Sequence, residues 1–154
     1  MDGLDKVDRA ILAIVQRDGR IAVSKLAEGV SLSETACARR LKRLETEGYI
    51  SDYRAMLSRR AMGLGVTAFA QVRFSSHNRA LSDKFEREVL THSRIVACHN
   101  ISGSADYLLQ VVARDLEAYG AFVRDVIRTM PGVTSVESML ALQEIKRDTG
   151  LPIA

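Results

Sequence analysis

The sequence predicts an α+β protein in two parts, a helix-turn-helix followed by a ferredoxin-like βαββαβ sandwich. Three observations lead to this fold class. Apolar residues recur at helical spacing through the first 48 residues, strand and helix patterns then follow in the order βαββαβ, and the segment "SRRAMGLG" separates the two regions. We therefore expect a boundary near residue 60, with one domain over residues 1–60 and another over residues 61–154.

Three helices are predicted before this boundary. In "LDKVDRAILAIVQRDGR" the apolar residues lie three and four positions apart, and Asp18-Gly19 is expected to end the helix. A short second helix follows in "VSKLAEGV", and "SLS" turns the chain toward a third helix with Ser33 as its N-cap and Gly48 as its stop. A short helix, a tight turn and a longer basic helix form the helix-turn-helix pattern.

The third helix, "LSETACARRLKRLETEG", places basic residues on the side opposite an apolar stripe of Cys37, Leu41 and Leu44. A solvated charged face is the alternative interpretation, but such a face usually interleaves acids with its bases, whereas the acids here lie at the two ends and leave the centre of the helix without acidic partners. Small residues in the first turn are typical of a helix that approaches base edges. We predict DNA contact by Ser33, Thr35, Ala36, Arg39, Arg40, Lys42 and Arg43.

Six elements are predicted after the boundary. In order they are a strand over 66–74, a helix in 78–92, strands in 94–102 and 107–114 joined by the turn "GSAD", a helix in 116–130 and a strand in 133–145. This order gives a sheet with both helices on one face. Phe69, Met139 and Ala141 fall on the other face, and an apolar face without helices should be buried against a second copy. We therefore expect a homodimer.

Composition narrows the class of protein. The chain has 154 residues, 47% of them hydrophobic, and its net charge of +3 lies in the first 60 residues, where 12 basic residues outnumber 9 acidic ones. Cys37, Cys98 and the three histidines are not spaced as metal ligands or as a disulfide framework, so we expect neither metal nor cofactor. The N-terminus lacks the pattern of a signal peptide, and no apolar run is long enough for a membrane span, which favours the cytoplasm.

The chain resembles the Lrp/AsnC, or feast/famine, family of transcriptional regulators over nearly its whole length. Seven segments match in family order: "LDKVDRAIL", "DGR", "LSETACARRLKRLETEGYI", "AMGLGVTAFAQVRF", "CHNISGSADYLLQVV", "MPGVTSVES" and "DTGLPI". The resemblance implies a winged helix-turn-helix joined to a small-molecule regulatory domain. It also implies dimers that assemble further, to tetramers or octamers, with amino acids as the usual effectors.

Particular residues match the motifs of the family. Ser33, Thr35, Ala36, Arg39 and Arg40 match the recognition helix; the resemblance assigns the effector site to Gly103, Asp106 and Tyr107 of the turn "SGSADY", with Thr134, Val136 and Ser138 of the last strand. Two positions depart from the family pattern. Ala22 stands where relatives usually have a capping Ser or Thr, so that the start of this helix is less firmly held or is capped by Ser24 instead, and "SLS" stands where a Gly is frequent.

Two alternatives remain open at the level of sequence. An architectural DNA-binding protein without an effector would share the whole argument for DNA contact. An enzyme of similar architecture, such as a tetrapyrrole decarboxylase, would need basic residues and histidines converging on the sandwich, whereas the basic cluster here lies on the third helix. We therefore expect no catalytic residues, and we expect a DNA-binding regulator whose assembly and DNA binding respond to a small effector.

Overall fold

The structure is a computed structural model that describes residues 3–74, 78–147 and 150–153. Its chain divides into two compact units, which we call the helical unit and the sheet unit. The helical unit comprises Met1–Met56 and Lys146–Ala154, and the sheet unit comprises Leu57–Ile145. The boundary expected near residue 60 places the C-terminal segment in the second domain. In the structure, this segment packs with the helical unit instead.

The described part of the helical unit contains three helices: α1 Lys6–Val15, α2 Val23–Gly29 and α3 Glu34–Thr46. They pack around a small apolar core whose centre is fully buried and consists of Ile11, Leu26, Cys37 and Leu44. Burial raises the pKa of the Cys37 thiol, which fits a packing role rather than redox sensing. The apolar stripe predicted for α3 therefore faces this core, and the opposite side of α3 faces outward.

The helix ends follow local side-chain chemistry. Helix α1 begins with a capping box between Asp5 and Asp8, and Ser33 Oγ accepts a hydrogen bond from Ala36 N, which confirms the predicted cap of α3. The substitute cap predicted for α2 is wrong. Ser24 lies inside α2, and the N-cap residue Ala22 has no side chain that can accept a hydrogen bond from the first turn.

The turn between α2 and α3 contains an unusual backbone conformation. Ser31 has φ of 56°, and within the described residues it is the one non-glycine residue with positive φ. This is the place where the family pattern frequently has a glycine. The turn is therefore built at some cost in backbone strain.

An extended segment follows α3. Gly48, with φ of 77°, ends the helix as predicted. Residues 49–65 form no strand in this described stretch, so the wing that the resemblance implies has no strand pairing here. Instead, Tyr53 packs beside Gly19 and its hydroxyl donates to Glu45 Oε1 at 3.0 Å, which ties the segment back to the helical unit.

The sheet unit has the predicted order βαββαβ. Its elements are β1 Val66–Phe74, α4 Arg79–Val89, β2 Ile95–Asn100, β3 Tyr107–Ala113, α5 Leu116–Asp125 and β4 Val133–Leu140. The strands form one antiparallel sheet in the order β2-β3-β1-β4. The core lies between the sheet and the helices, and its fully buried residues include Ala70, Val72, Phe85, Leu109 and Val111.

Several elements of the sheet unit are shorter than the segments predicted for them, and α5 and β4 differ most. Helix α5 ends at Asp125, and a 3-10 turn over Ile127–Thr129 replaces the rest, because consecutive β-branched residues disfavour a continued α-helix. Strand β4 ends at Leu140, opposite Ala68 of β1, and just beyond its end Ala141 N donates to Thr67 O at 2.9 Å.

The sheet face away from the helices is partly apolar. Phe69 on β1 lies opposite Met139 on β4, and Met139 is 41% exposed. The next pair on this face is polar, Gln71 opposite Glu137. The prediction that Phe69 and Met139 share the outer face is confirmed.

The C-terminal segment contacts α1. Gln16 Nε2 donates to Leu151 O at 3.1 Å, and Leu151 N donates to Gln16 Oε1 at 3.0 Å. Residues 148 and 149 of the motif "DTGLPI" lie outside the described residues. None of the described helices has the length and apolarity that a membrane span requires.

Candidate functional site

The outward side of α3 begins with small side chains and continues with cations. Ser33, Thr35, Arg39 and Lys42 are exposed, and Ala36 is half-buried. The Lys42 side chain is 79% exposed, and its one ion-pair contact within the described residues is a long one, 3.7 Å, with Glu45. Arg39 has no ion pair among the residues that the structure describes. This part of α3 is therefore a cationic surface that is open to a ligand.

Arg40 and Arg43 are held differently, by acids of α1. The Asp8 carboxylate is 1% exposed; its Oδ1 accepts from Arg40 Nη1 at 2.9 Å and its Oδ2 from Arg43 Nη2 at 2.5 Å. Asp5 Oδ2 also accepts from Arg40 Nη1, at 2.6 Å. The expectation that the centre of the basic helix has no acidic partners is wrong, because the partners come from another helix.

Asp5 shows the effect of these contacts. The backbone N–H of Asp8 and then the Arg40 guanidinium stabilise its carboxylate and lower its pKa from 3.8 to about 2. The side chain remains about half exposed, so solvent screens the ion pair with Arg40.

The predicted effector residues of the turn between β2 and β3 lie at one end of the sheet. Gly103 has φ of 119° and open space around it. Asp106 Oδ2 accepts from Phe74 N at 2.7 Å, and the Asp106 backbone bonds to Val72 and Ile101. The Asp106 carboxylate therefore already holds the end of β1.

The predicted effector residues of β4 are spread along that strand. Thr134 Oγ1 donates to Arg73 O at 2.9 Å, at the same end of the sheet as Asp106. Val136 packs against the core, and Ser138 Oγ accepts from Tyr119 OH at 2.6 Å. Ser138 lies four residues from Thr134, which is about 13 Å along a strand. Only part of the predicted set therefore converges.

A cavity of about 400 Å³ opens beside Asp106 and Tyr107. Six further residues line it: Phe74, Arg79, Ser82, Asp83, Glu86 and Asn100. Tyr107 is 3% exposed and donates its hydroxyl to Glu86 Oε1 at 2.7 Å; its burial, followed by this contact, raises its pKa. The cavity thus carries three carboxylates and one guanidinium.

The contribution of α4 to this cavity was missed from the sequence. Ser82 and Glu86 are four residues apart and so share one face of the helix, next to the apolar face that Phe85 marks. The spacing of Ser82 and Glu86 is visible in the sequence, but only the tertiary fold places this face of α4 beside Tyr107.

Two family models match the chain. Residues 4–45 match the AsnC-type helix-turn-helix domain, and residues 67–151 match the Lrp/AsnC ligand binding domain. The chain belongs to the Lrp/AsnC family of transcriptional regulators. The Lrp/AsnC helix-turn-helix match covers α1, α2 and most of α3, and the ligand-binding match covers nearly all of β1 and every later element of the sheet unit.

Relatives in this family match over almost the full chain. The DNA-binding transcriptional activator DecR of Escherichia coli is 35% identical over 97% of this chain and 99% of its own length. The proline dehydrogenase transcriptional activator of Rhizobium radiobacter is 36% identical over 97% and 96%. A Neisseria meningitidis transcriptional regulator, crystallised as a complex with L-Met, is 37% identical with a TM-score of 0.93, covering 97% and 96%.

These findings decide the class of function. The Lrp/AsnC chain is a DNA-binding transcriptional regulator with a ligand-binding domain, and its family consists of regulators rather than enzymes. The predicted fold class is confirmed as a helix-turn-helix followed by a ferredoxin-like domain with a four-stranded antiparallel sheet.

Proposed function

We propose that this regulator binds duplex DNA through the outward side of α3 and that an amino acid bound in the sheet unit controls its assembly and DNA binding. One observation supports DNA binding by the outward side of α3. An exposed first turn of small residues leads directly into exposed cations, so the helix can approach base edges while its cations reach the phosphates. The contact residues are Ser33, Thr35, Ala36, Arg39, Arg40, Lys42 and Arg43.

Single substitutions of the two most open cations test the DNA contact. Arg39→Ala and Lys42→Ala should each make the dependence of log affinity on log salt shallower by about one unit, because each removes one phosphate contact. Affinity is measured by fluorescence anisotropy across a salt series. Arg87→Ala, which removes an exposed cation from α4, is the matched control. A slope that stays unchanged in both α3 variants contradicts the assignment.

The cavity beside Asp106 supports an amino acid as the effector. Asp83, Glu86 and Asp106 offer carboxylates to an α-ammonium group, and Arg79 offers a guanidinium to an α-carboxylate. Gly103 lets a ligand approach the backbone nearby. The N. meningitidis relative was crystallised with L-Met, which points to the same ligand class. The proposed effector residues are Gly103, Asp106, Tyr107, Thr134, Val136 and Ser138.

Two variants of Asp106 separate its charge from its hydrogen bond to Phe74. Asp106→Asn keeps an oxygen that can accept from Phe74 N, whereas Asp106→Ala removes both the charge and the acceptor. A thermal-shift screen first finds the amino acids that stabilise the parent protein. We expect Asp106→Asn to lose at least about tenfold in affinity for that amino acid, which is the scale of one charge-assisted hydrogen bond.

The same screen can contradict the effector proposal. If Asp106→Asn responds to the amino acid as the parent does, the site lies elsewhere. If no amino acid shifts the parent protein while DNA binding remains, the architectural alternative replaces the regulated one.

The proposed assembly is a homodimer formed through the outer face of the sheet, with further association to a tetramer or octamer. The pair of half-buried Phe69 and exposed Met139 supports this proposal, because an apolar patch on a sheet face favours burial against a partner. Since the ligand can shift only states that it binds differently, an effector site between dimers would link effector binding to assembly. A cytoplasmic location, where the DNA lies, belongs to the same proposal.

A further inference from the structure

Asp8 combines burial with charge. Within the described residues it is the one charged side chain that is buried, at 1% exposure. A buried carboxylate is strongly unfavourable unless it is paired, so its partners are part of the fold. Both of its ion-pair partners, Arg40 and Arg43, come from α3, the helix that we propose contacts DNA.

The geometry of this cluster restrains α3. Each oxygen of Asp8 accepts from a different guanidinium, at 2.9 Å from Arg40 and 2.5 Å from Arg43. The two arginines are three residues apart and therefore leave the same side of α3. Two bonds to one rigidly buried carboxylate oppose rotation of α3 about its own axis, and they hold its first turn at one angle to α1.

The cluster also balances its own charge. Asp5 and Asp8 supply two negative charges against the two positive charges of Arg40 and Arg43. The Arg40 and Arg43 side chains are 29% and 42% exposed, against 79% for Lys42. A phosphate that approaches these arginines meets guanidinium groups whose charge is already compensated, so they add less to salt-dependent affinity than open cations do.

We propose that Asp8 is a positioning residue that sets DNA specificity: it fixes the orientation of α3 and withholds the charge of Arg40 and Arg43 from nonspecific phosphate binding. This inference rests on the proposed DNA contact of α3. It predicts that loss of the Asp8 charge tightens nonspecific binding and weakens discrimination between sequences.

Asp8→Asn tests the proposal because the amide keeps the shape of the carboxylate and removes its charge. The probes are a duplex that the full-length parent selects from a randomised pool and a scrambled duplex of the same composition. With the scrambled duplex, we expect a salt slope steeper by about one unit, from one released guanidinium. The ratio of selected to scrambled affinity should fall about tenfold, the scale of one mismatched base pair.

Glu47→Gln is the matched control. Glu47 lies 3.9 Å from Arg43 in an exposed pair, so its substitution changes the net charge by the same amount and leaves the buried Asp8 carboxylate with both of its arginines. It should tighten binding to both duplexes equally and leave their ratio unchanged. If Asp8→Asn gives the same ratio as Glu47→Gln, the effect is net charge alone and the proposal is overturned.

A second variant covers the case in which Asp8→Asn does not fold, as judged by circular dichroism. Asp8→Glu preserves every charge, but its longer side chain moves the carboxylate from the position in which it bonds to both Arg40 and Arg43. We expect its affinity ratio to fall while the nonspecific affinity stays close to that of the parent. An unchanged ratio in Asp8→Glu overturns the proposal. Equal weakening of binding to both duplexes by a folded Asp8→Asn protein also overturns the proposal, because Asp8 would then support phosphate contact rather than restrain it.

Failure of Arg39→Ala and Lys42→Ala to affect binding would instead overturn the DNA assignment itself.

Discussion

At the scale of single residues, the turn of the helix-turn-helix shows a conflict between backbone and side chain. Ser31 adopts φ of 56°, where the Cβ of an L-residue costs roughly 1–2 kcal/mol. Glycine has no such cost, although it loses more backbone entropy on folding. The resemblance identified this position as one where glycine is frequent, and the observed φ supplies the physical reason. The identity of Ser31 alone does not predict that conformation.

Ser31→Gly should therefore stabilise the protein. The relief of strain exceeds the entropy loss, and we expect a gain of about 0.5–1 kcal/mol, seen as a rise of a few degrees in Tm. The measurement is thermal unfolding of the full chain followed by circular dichroism. Ser24→Gly, inside α2, is the matched control and should lower stability by about 0.5 kcal/mol. A loss of stability in Ser31→Gly would show that the serine side chain compensates for its strain.

At the scale of elements, the predicted ends of α3 held, whereas the acidic partners of its arginines come from another helix and were not predicted. Ser33 caps α3 and Gly48 ends it because these effects lie within a few residues of the helix end. The pairing of Asp8 with Arg40 and Arg43 spans 32 and 35 residues, and only the packing of α1 against α3 creates it. Likewise, the pairing of Leu140 with Ala68 depends on the register of β4 against β1, which the pattern of β4 alone does not contain.

The contact between α1 and α3 gives a pH prediction. The pKa of Asp5 is lowered from 3.8 to about 2 by the Asp8 backbone N–H and by Arg40, so its contribution to stability is present above 3.8 and is lost as the pH falls toward 2. Asp5→Asn should therefore be less stable than the parent near neutral pH, and the difference should shrink as the pH approaches 2. Glu28→Gln, which removes an exposed acid from α2, is the control. A Tm difference that stays constant across this window would contradict the prediction.

At the scale of the whole molecule, two surfaces matter that no single element contains. The cavity beside Tyr107 gathers residues from β1, α4, β2 and the turn before β3, and of these the sequence pointed to Asp106 and Tyr107. The others were missed because convergence of separate segments depends on the tertiary fold. The outer sheet face was predictable from alternation, since residues two apart on a strand share a face. Its function still depends on whether a second copy covers it.

Assembly can be tested on this outer face with the full chain. Met139→Glu places a charge opposite Phe69, so a dimer that buries this pair would have to bury an unpaired carboxylate, at a cost of several kcal/mol. We expect the parent to sediment as a dimer or larger species and Met139→Glu to shift toward monomer. Leu116→Glu is the control, because Leu116 is 58% exposed at the start of α5, on the side of the sheet that carries the helices. If Met139→Glu and Leu116→Glu both sediment with the mass of the parent, the outer face of the sheet is not the interface.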